Sequence, residues 1–242
     1  MVRMWQEGLI GGSRGGPATH GWRPACRSHG YRVFDFHGGQ LGRQLCHPQE
    51  GHDSGGGRRR TTSSTSASAA ARGMRSSRKL SDAREQGMLV VVAAGNDGRA
   101  AVSYPAAYPG ATAVSAMGFD HGFPAGSYFD GDVLRPPYGP SAADYIADFS
   151  NVGPQIACTG LGSGVLSTMP GNRFGPLSGT SMAAPMVAGA AASLLSQNLT
   201  VYGMPRNIAR SAAIERLLQS NCRQRFGGGI WEGYGLPDPG RI

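Results

Sequence analysis

Between Ser178 and Leu195 the chain reads Ser-Gly-Thr-Ser-Met-Ala-Ala-Pro-Met-Val-Ala-Gly-Ala-Ala-Ala-Ser-Leu-Leu. After Ser181 nearly every residue is small and apolar. A helix that is apolar all round can only be stable buried among other elements, which limits the chain to folds with a central helix layer. Pro185 is tolerated in the first turn, where its missing N–H costs no hydrogen bond, so the pattern predicts a helix entrance close to Thr180 and Ser181. Gly179 lets the backbone turn tightly in front of it. A serine at such an entrance lies beside outward-pointing backbone N–H groups and the positive end of the helix dipole, a setting suited to developing negative charge.

A second stretch points the same way. Met88-Leu-Val-Val-Val-Ala-Ala-Gly-Asn-Asp-Gly98 is an apolar, β-branched run ending in a turn. Runs apolar on both faces are typical of central strands in parallel sheets. The preceding Ser81–Gly87 segment reads as a helix end capped by Gly87. Helix, tight loop and buried strand form half of a βαβ unit, and Asn96 falls just past the strand's C-terminal end, where α/β sheets place their sites. The expected class is therefore α/β with a parallel central sheet.

The segment Ser178–Pro185 resembles the serine motif of the subtilisin-like serine proteases, the subtilases. The family pattern is Gly-Thr-Ser-Met-Ala-x-Pro-His-Val-Ala-Gly, and Met186 stands here where the family usually has His. The resemblance implies a three-layer subtilisin-like fold and hydrolysis of peptide bonds through an acyl-enzyme on Ser181. It implies Asn96, in Ala-Ala-Gly-Asn, as the side-chain donor of the oxyanion hole. It also implies that Val92, Ala93, Ala94, Gly95 and Thr180 line the substrate cleft. By itself Asn96 reads better as a left-handed turn residue before Asp-Gly. The serine motif 85 residues downstream selects the functional reading. The segment 103–116 is similar to the family's segment after the oxyanion asparagine, a Pro-punctuated loop running into another core strand, and 149–154 and 164–168 resemble the strands leading to the serine. Cys158-Thr159-Gly160 replaces the family's Ala-Pro-Gly turn. Pro205–Ser220 reads as an amphipathic helix, and Gly233-Tyr-Gly235 resembles the closing turn. The likeness spans roughly residues 78 to 237.

A subtilase serine needs a histidine to take its proton and an aspartate to orient that histidine. The family's Asp-Thr/Ser-Gly and His-Gly-Thr-His motifs do not occur. Asp35, His20, His29, His37 and His52 lack the expected neighbours. In the family the Asp precedes the Ser by roughly 190 residues and the His by roughly 160. The expectation is thus an Asp before Met1 and a His near or before residue 24. Residues 1–77 hold 11 of the 23 basic residues and 4 of the 15 acidic ones. Such a Gly-, Arg- and Ser-rich segment buries too little surface to offset its ordering entropy. Two units are expected: 1–77, disordered or foreign to the family, through divergence or a misread upstream gene, and 78–242, a partial subtilase domain.

Two rival readings follow. One is an inactive subtilase fragment lacking the triad Asp and His. The other, weaker, is a basic arm that binds nucleic acid or anionic surfaces, which no interleaved aromatic platform supports. The expected partners are polypeptide substrates. No cofactor is implied. The stretch 117–148 reads as a solvated surface loop, although Asp120, Asp130, Asp132, Asp144 and Asp148 would suit structural calcium in their chemistry without a recognisable loop spacing. Cys26, Cys46, Cys158 and Cys222 form no metal-type pair. Neither an apolar signal segment nor a span of about 20 apolar residues is present, so localisation is left open.

Overall fold

The computed structural model describes residues 63–66, 74–119, 132–139, 143–169 and 173–240. Helix α1 (Met74–Glu85) runs into strand β2 (Leu89–Ala93) through a tight turn. Ahead of it, β1 (Ser63–Ser66) pairs parallel with β2, and β2 pairs parallel with β3 (Thr112–Phe119). The other edge of β3 pairs parallel with β6 (Ile156–Leu161). The central sheet is thus parallel, as the unbroken apolar run of β2 requires.

β2 divides its side chains between two cores. Leu89, Val91 and Ala93 pack with Val114, Ala116 and Cys158 against helix α2 (Thr180–Gln197). Val90, Val92 and Ala94 point the other way, towards Leu80 of α1 and Val102, Ala106 and Ile156. A strand alternates its faces, so a run apolar at every position must be covered on both sides. Helix α4 (Ile208–Ser220) closes the α2 side with Ile214 and Leu218. It starts at Ile208 rather than Pro205 because Asn207 takes the N-cap, its side chain accepting from the Arg210 N–H at 3.1 Å. Buried Arg210 and Ser211 then donate to the carbonyls of Gly87 and Met88, tying α4 to the turn before β2. A one-turn helix, α3 (Leu199–Tyr202), links α2 to α4.

Several expectations need correction. Pro185 occupies the sixth position of α2, in its second turn, where it removes the donor that would reach the Ser181 carbonyl. The Cys158-Thr159-Gly160 segment is strand β6 rather than a turn, and Thr159 is buried within it. Residues 149–154 form a loop, with a bridge from Val152 to Ala101, rather than a strand. The region expected as a solvated loop contains β4 (Val133–Tyr138) and β5 (Asp144–Ala147), which extend the sheet antiparallel from the end of β3. All four residues of β5 are buried, because Tyr145-Ile146-Ala147 fills space beside β3. β1 and the start of α1 lie upstream of residue 78. Cys158 and Cys222 are free thiols, and burial pushes the Cys222 thiol up to about 12. Cys26 and Cys46 fall outside the described residues.

The C-terminal segment is locked by Glu232. Its fully buried carboxylate accepts backbone N–H groups from Arg225, Phe226 and Gly228 at 2.7–3.0 Å. A buried charge needs that kind of multiple hydrogen bonding to be tolerated. The Gly233–Gly235 turn follows, and Ser115 Oγ of β3 donates to the Trp231 carbonyl at 2.7 Å.

Leu194 on α2 is fully buried, whereas Leu199 is 76% exposed. Leu194→Ala is expected to cost ~2–5 kcal/mol in urea denaturation. Leu199→Ala should stay within about 0.5 kcal/mol of the parent. Equal effects would contradict the placement of α2 in the core.

Candidate active site

The C-terminal end of β2 and the N-terminal end of α2 meet at one edge of the sheet. Gly95 turns the chain out of β2 with φ 113, and Gly179 turns it into α2 with φ 151. Both conformations favour glycine. A Cβ at Gly95 would in addition lie 2.4 Å from Asn151 Nδ2. Asn96 does not adopt positive φ. Among the described non-glycine residues of the turn, that role belongs to Arg99, with φ 62. The left-handed turn reading of Asn96 is therefore not what the backbone adopts.

Thr180 joins the two elements. Its backbone N–H donates to Asn96 Oδ1 at 2.9 Å and its hydroxyl donates to the same oxygen at 2.8 Å. The Gly95 N–H donates to Thr180 Oγ1 at 3.2 Å. A backbone N–H can only be accepted by the carboxamide oxygen, which fixes the orientation of the amide. Asn96 is exposed, so its NH2 is the end it has to offer outside this contact. Ser181, half-buried, is the second residue of α2, directly after Thr180. The structure thus brings Ser181, Thr180, Gly95 and Asn96 together.

Val92, Ala93 and Ala94 lie on β2 directly before this turn. They are 0–3% exposed and their side chains belong to the two cores flanking β2. Thr180 is likewise fully buried, and its polar atoms are engaged with Asn96 and Gly95. It orients the Asn96 carboxamide and contributes no exposed surface. Met186 packs against Met182 in a cluster with Val165 and Leu177, and lines a cavity of about 250 Å³.

Two residues that sequence reasoning missed approach the site. Ser178 Oγ donates to Asp132 Oδ2 at 2.6 Å and accepts from the Gly164 N–H at 2.9 Å, anchoring the segment that leads into Ser181. Asn151, fully buried, contacts both arms of the turn carrying Asn96. Neither position carries a sequence signal stronger than an ordinary loop polar residue. Of the other aspartates, Asp144 pairs with Arg225, and Asp120 and Asp130 lie outside the described residues. Among the described residues no cluster of three His, Cys, Asp or Glu is arranged to hold a metal ion. All six histidines, and Asp35, lie outside the described residues.

Burial is the main reason the Asp132 carboxyl titrates above its ordinary range, with the charge of Asp148 adding to it and the bond from Ser178 opposing it. The folded-state value exceeds the unfolded one. The group's contribution to stability is therefore fully present below the unfolded pKa and lost as pH rises through the folded value. Asp132→Asn keeps an oxygen to accept from Ser178. In urea denaturation from about pH 4 to about pH 8 its stability should gain on the parent as pH rises. A pH-independent difference would contradict this. Thr180→Val leaves the buried Gly95 N–H without its acceptor and should cost ~1–3 kcal/mol by the same method, while Thr180→Ser retains most of the stability.

The family model of the Subtilase family matches residues 23–235, most of the chain. Over 115 residues the chain is 42% identical to the thermostable alkaline protease of Halalkalibacterium halodurans, covering 48% of this chain and 26% of that protein. Over 145 residues it is 35% identical to the major intracellular serine protease of Bacillus subtilis, covering 58% and 38%. The chain thus spans well under half the length of these relatives. Among solved structures it is similar to Sphericase, with a TM-score of 0.55 and 24% identity over 72% of this chain and 55% of that one, a likeness of fold. With the serine-bearing helix entrance and the asparagine turn meeting at the sheet edge, and the family model covering most of its length, the chain belongs to the subtilase family.

Proposed function

We propose that the chain carries the nucleophile and oxyanion half of a serine endopeptidase acting on polypeptides. In this reading Ser181 Oγ attacks the scissile carbonyl carbon and its proton passes to a base. The carbonyl oxygen, now an oxyanion, receives hydrogen bonds from Asn96 Nδ2 and from the backbone N–H of Ser181. The base returns its proton to the leaving nitrogen as the tetrahedral intermediate collapses, expelling the amine and leaving an acyl-enzyme, which water then hydrolyses. The observation that carries this reading is the double donation of Thr180 to Asn96 Oδ1, which leaves the carboxamide NH2 as the outward donor next to Ser181. A preorganised donor of this kind needs no reorientation as charge develops. Gly95 contributes backbone to the cleft wall.

The proton acceptor is a histidine in this family, oriented by an aspartate, and the chain's histidines lie outside the described residues. Among the described residues no helix is long and apolar enough to cross a membrane.

A fluorophosphonate probe reacts with an activated serine and tests this half-site together with its base. The purified chain should be labelled at Ser181, and Ser181→Ala should abolish labelling. Asn96→Ala should slow it by ~10²–10³-fold, the magnitude known from the corresponding donor of a subtilisin. An unlabelled parent chain would favour the inactive-fragment reading instead.

A further inference from the structure

Asn151 sits in the loop between β5 and β6, far in sequence from Asn96, yet nearly all of its bonds go to the turn that carries Asn96. Its backbone N–H donates to the Gly95 carbonyl at 3.0 Å, and its Oδ1 accepts from the Asp97 N–H at 2.8 Å. These two bonds hold the residues immediately before and after Asn96. The two hydrogens of its NH2 are shared among Asp97 Oδ2 at 2.8 Å, Ser103 Oγ at 3.0 Å, the Ala101 carbonyl at 3.1 Å and the Ala94 carbonyl at 3.4 Å. Ser103 Oγ in turn donates to Asp97 Oδ2 at 3.1 Å, so the return arm of the turn joins the same network. Asn151 itself is 0% exposed, which places these bonds away from competing water. Neighbouring backbone reinforces the contact, with the N–H groups of Gly98 and Arg99 donating to the carbonyls of Phe149 and Ser150.

An exposed asparagine on a turn would sample many orientations. Thr180 fixes its carboxamide from one side, but only if the backbone of residues 95–97 stays in place. We propose that Asn151 is a positioning residue for the oxyanion donor Asn96, holding the backbone on both sides of it so that Asn96 Oδ1 remains in register with Thr180. The proposal rests on the reading of Asn96 and Ser181 given above. No other amino acid has an amide acceptor and donor pair at this reach: Asp lacks the NH2 and would set a second carboxylate against Asp97, and Ser is too short to bridge both arms.

The test is hydrogen exchange of backbone amides in the full chain, comparing the parent with Asn151→Ser and Asn151→Asp. Exchange of the Thr180 amide, whose acceptor is Asn96 Oδ1, should accelerate about tenfold or more in both variants. Exchange of the Leu218 amide in α4 should stay unchanged. An unchanged Thr180 amide, or equal acceleration at Thr180 and Leu218, overturns the proposal. A second arm measures fluorophosphonate labelling. Asn151→Ser should slow labelling about tenfold in the parent background and add nothing in an Asn96→Ala background. Equal slowing in both backgrounds would mean that Asn151 acts other than through Asn96. A parent chain that does not label counts against the reading of Ser181, and the exchange arm then decides the proposal alone.

Discussion

The contact between Thr180 and Asn96 is the constraint on which the site depends. Two donors from one residue converge on a single carboxamide oxygen, and that residue is the first of the helix bearing Ser181. The same hydroxyl accepts from Gly95, so strand end, turn and helix entrance form one unit. Each side is independently braced. α2 is braced by its apolar length against β2, β3 and β6, and the turn by Asn151 and the carbonyls of the 149–150 loop. Because a preorganised donor works only if held still, the stability of two distant core elements becomes a condition of any chemistry at Ser181.

The added antiparallel strands of β4 and β5 bear on the same region. Asp132, at the start of β4, grips Ser178 three residues ahead of Ser181, while Asp144 at the start of β5 is held by Arg225 from the C-terminal segment. Glu232 folds that segment into a loop of inward-pointing N–H groups. Three buried carboxylates thus hold loops around the sheet edge, each with donors to satisfy it, which is how buried charge becomes compatible with a stable fold.

Much of this was legible in sequence for a physical reason. The runs 88–94 and 182–195 are long and continuous enough that only a doubly covered strand and a central helix satisfy them, and both were found there. Ser181 stands out at the entrance of an apolar helix, and Asn96 through the family's Ala-Ala-Gly-Asn pattern together with that serine motif. That the side chains of Val92, Ala93 and Ala94 all face the two cores could not be read in advance, since an apolar strand near a site looks the same whether its side chains face a cleft or a core. β5 was missed because it has only four residues inside a Gly- and Asp-rich stretch. Pro185 was misplaced by one turn because a well-packed helix tolerates a lost bond that propensity alone would forbid. The roles of Asn151 and Asp132 depend on contacts across 54 and 46 residues, which no local pattern encodes.

A crystal structure of the chain with a peptidyl boronate is the most direct measurement of the central claim, because the boronate's tetrahedral adduct reproduces the charge and shape of the acyl-transfer intermediate. The account predicts a covalent bond from Ser181 Oγ to boron, with one boronate oxygen at roughly 2.7–3.1 Å from Asn96 Nδ2. Asn96 Oδ1 should remain bonded to both Thr180 donors. An adduct on another residue, or a boronate oxygen turned away from Asn96, would contradict it.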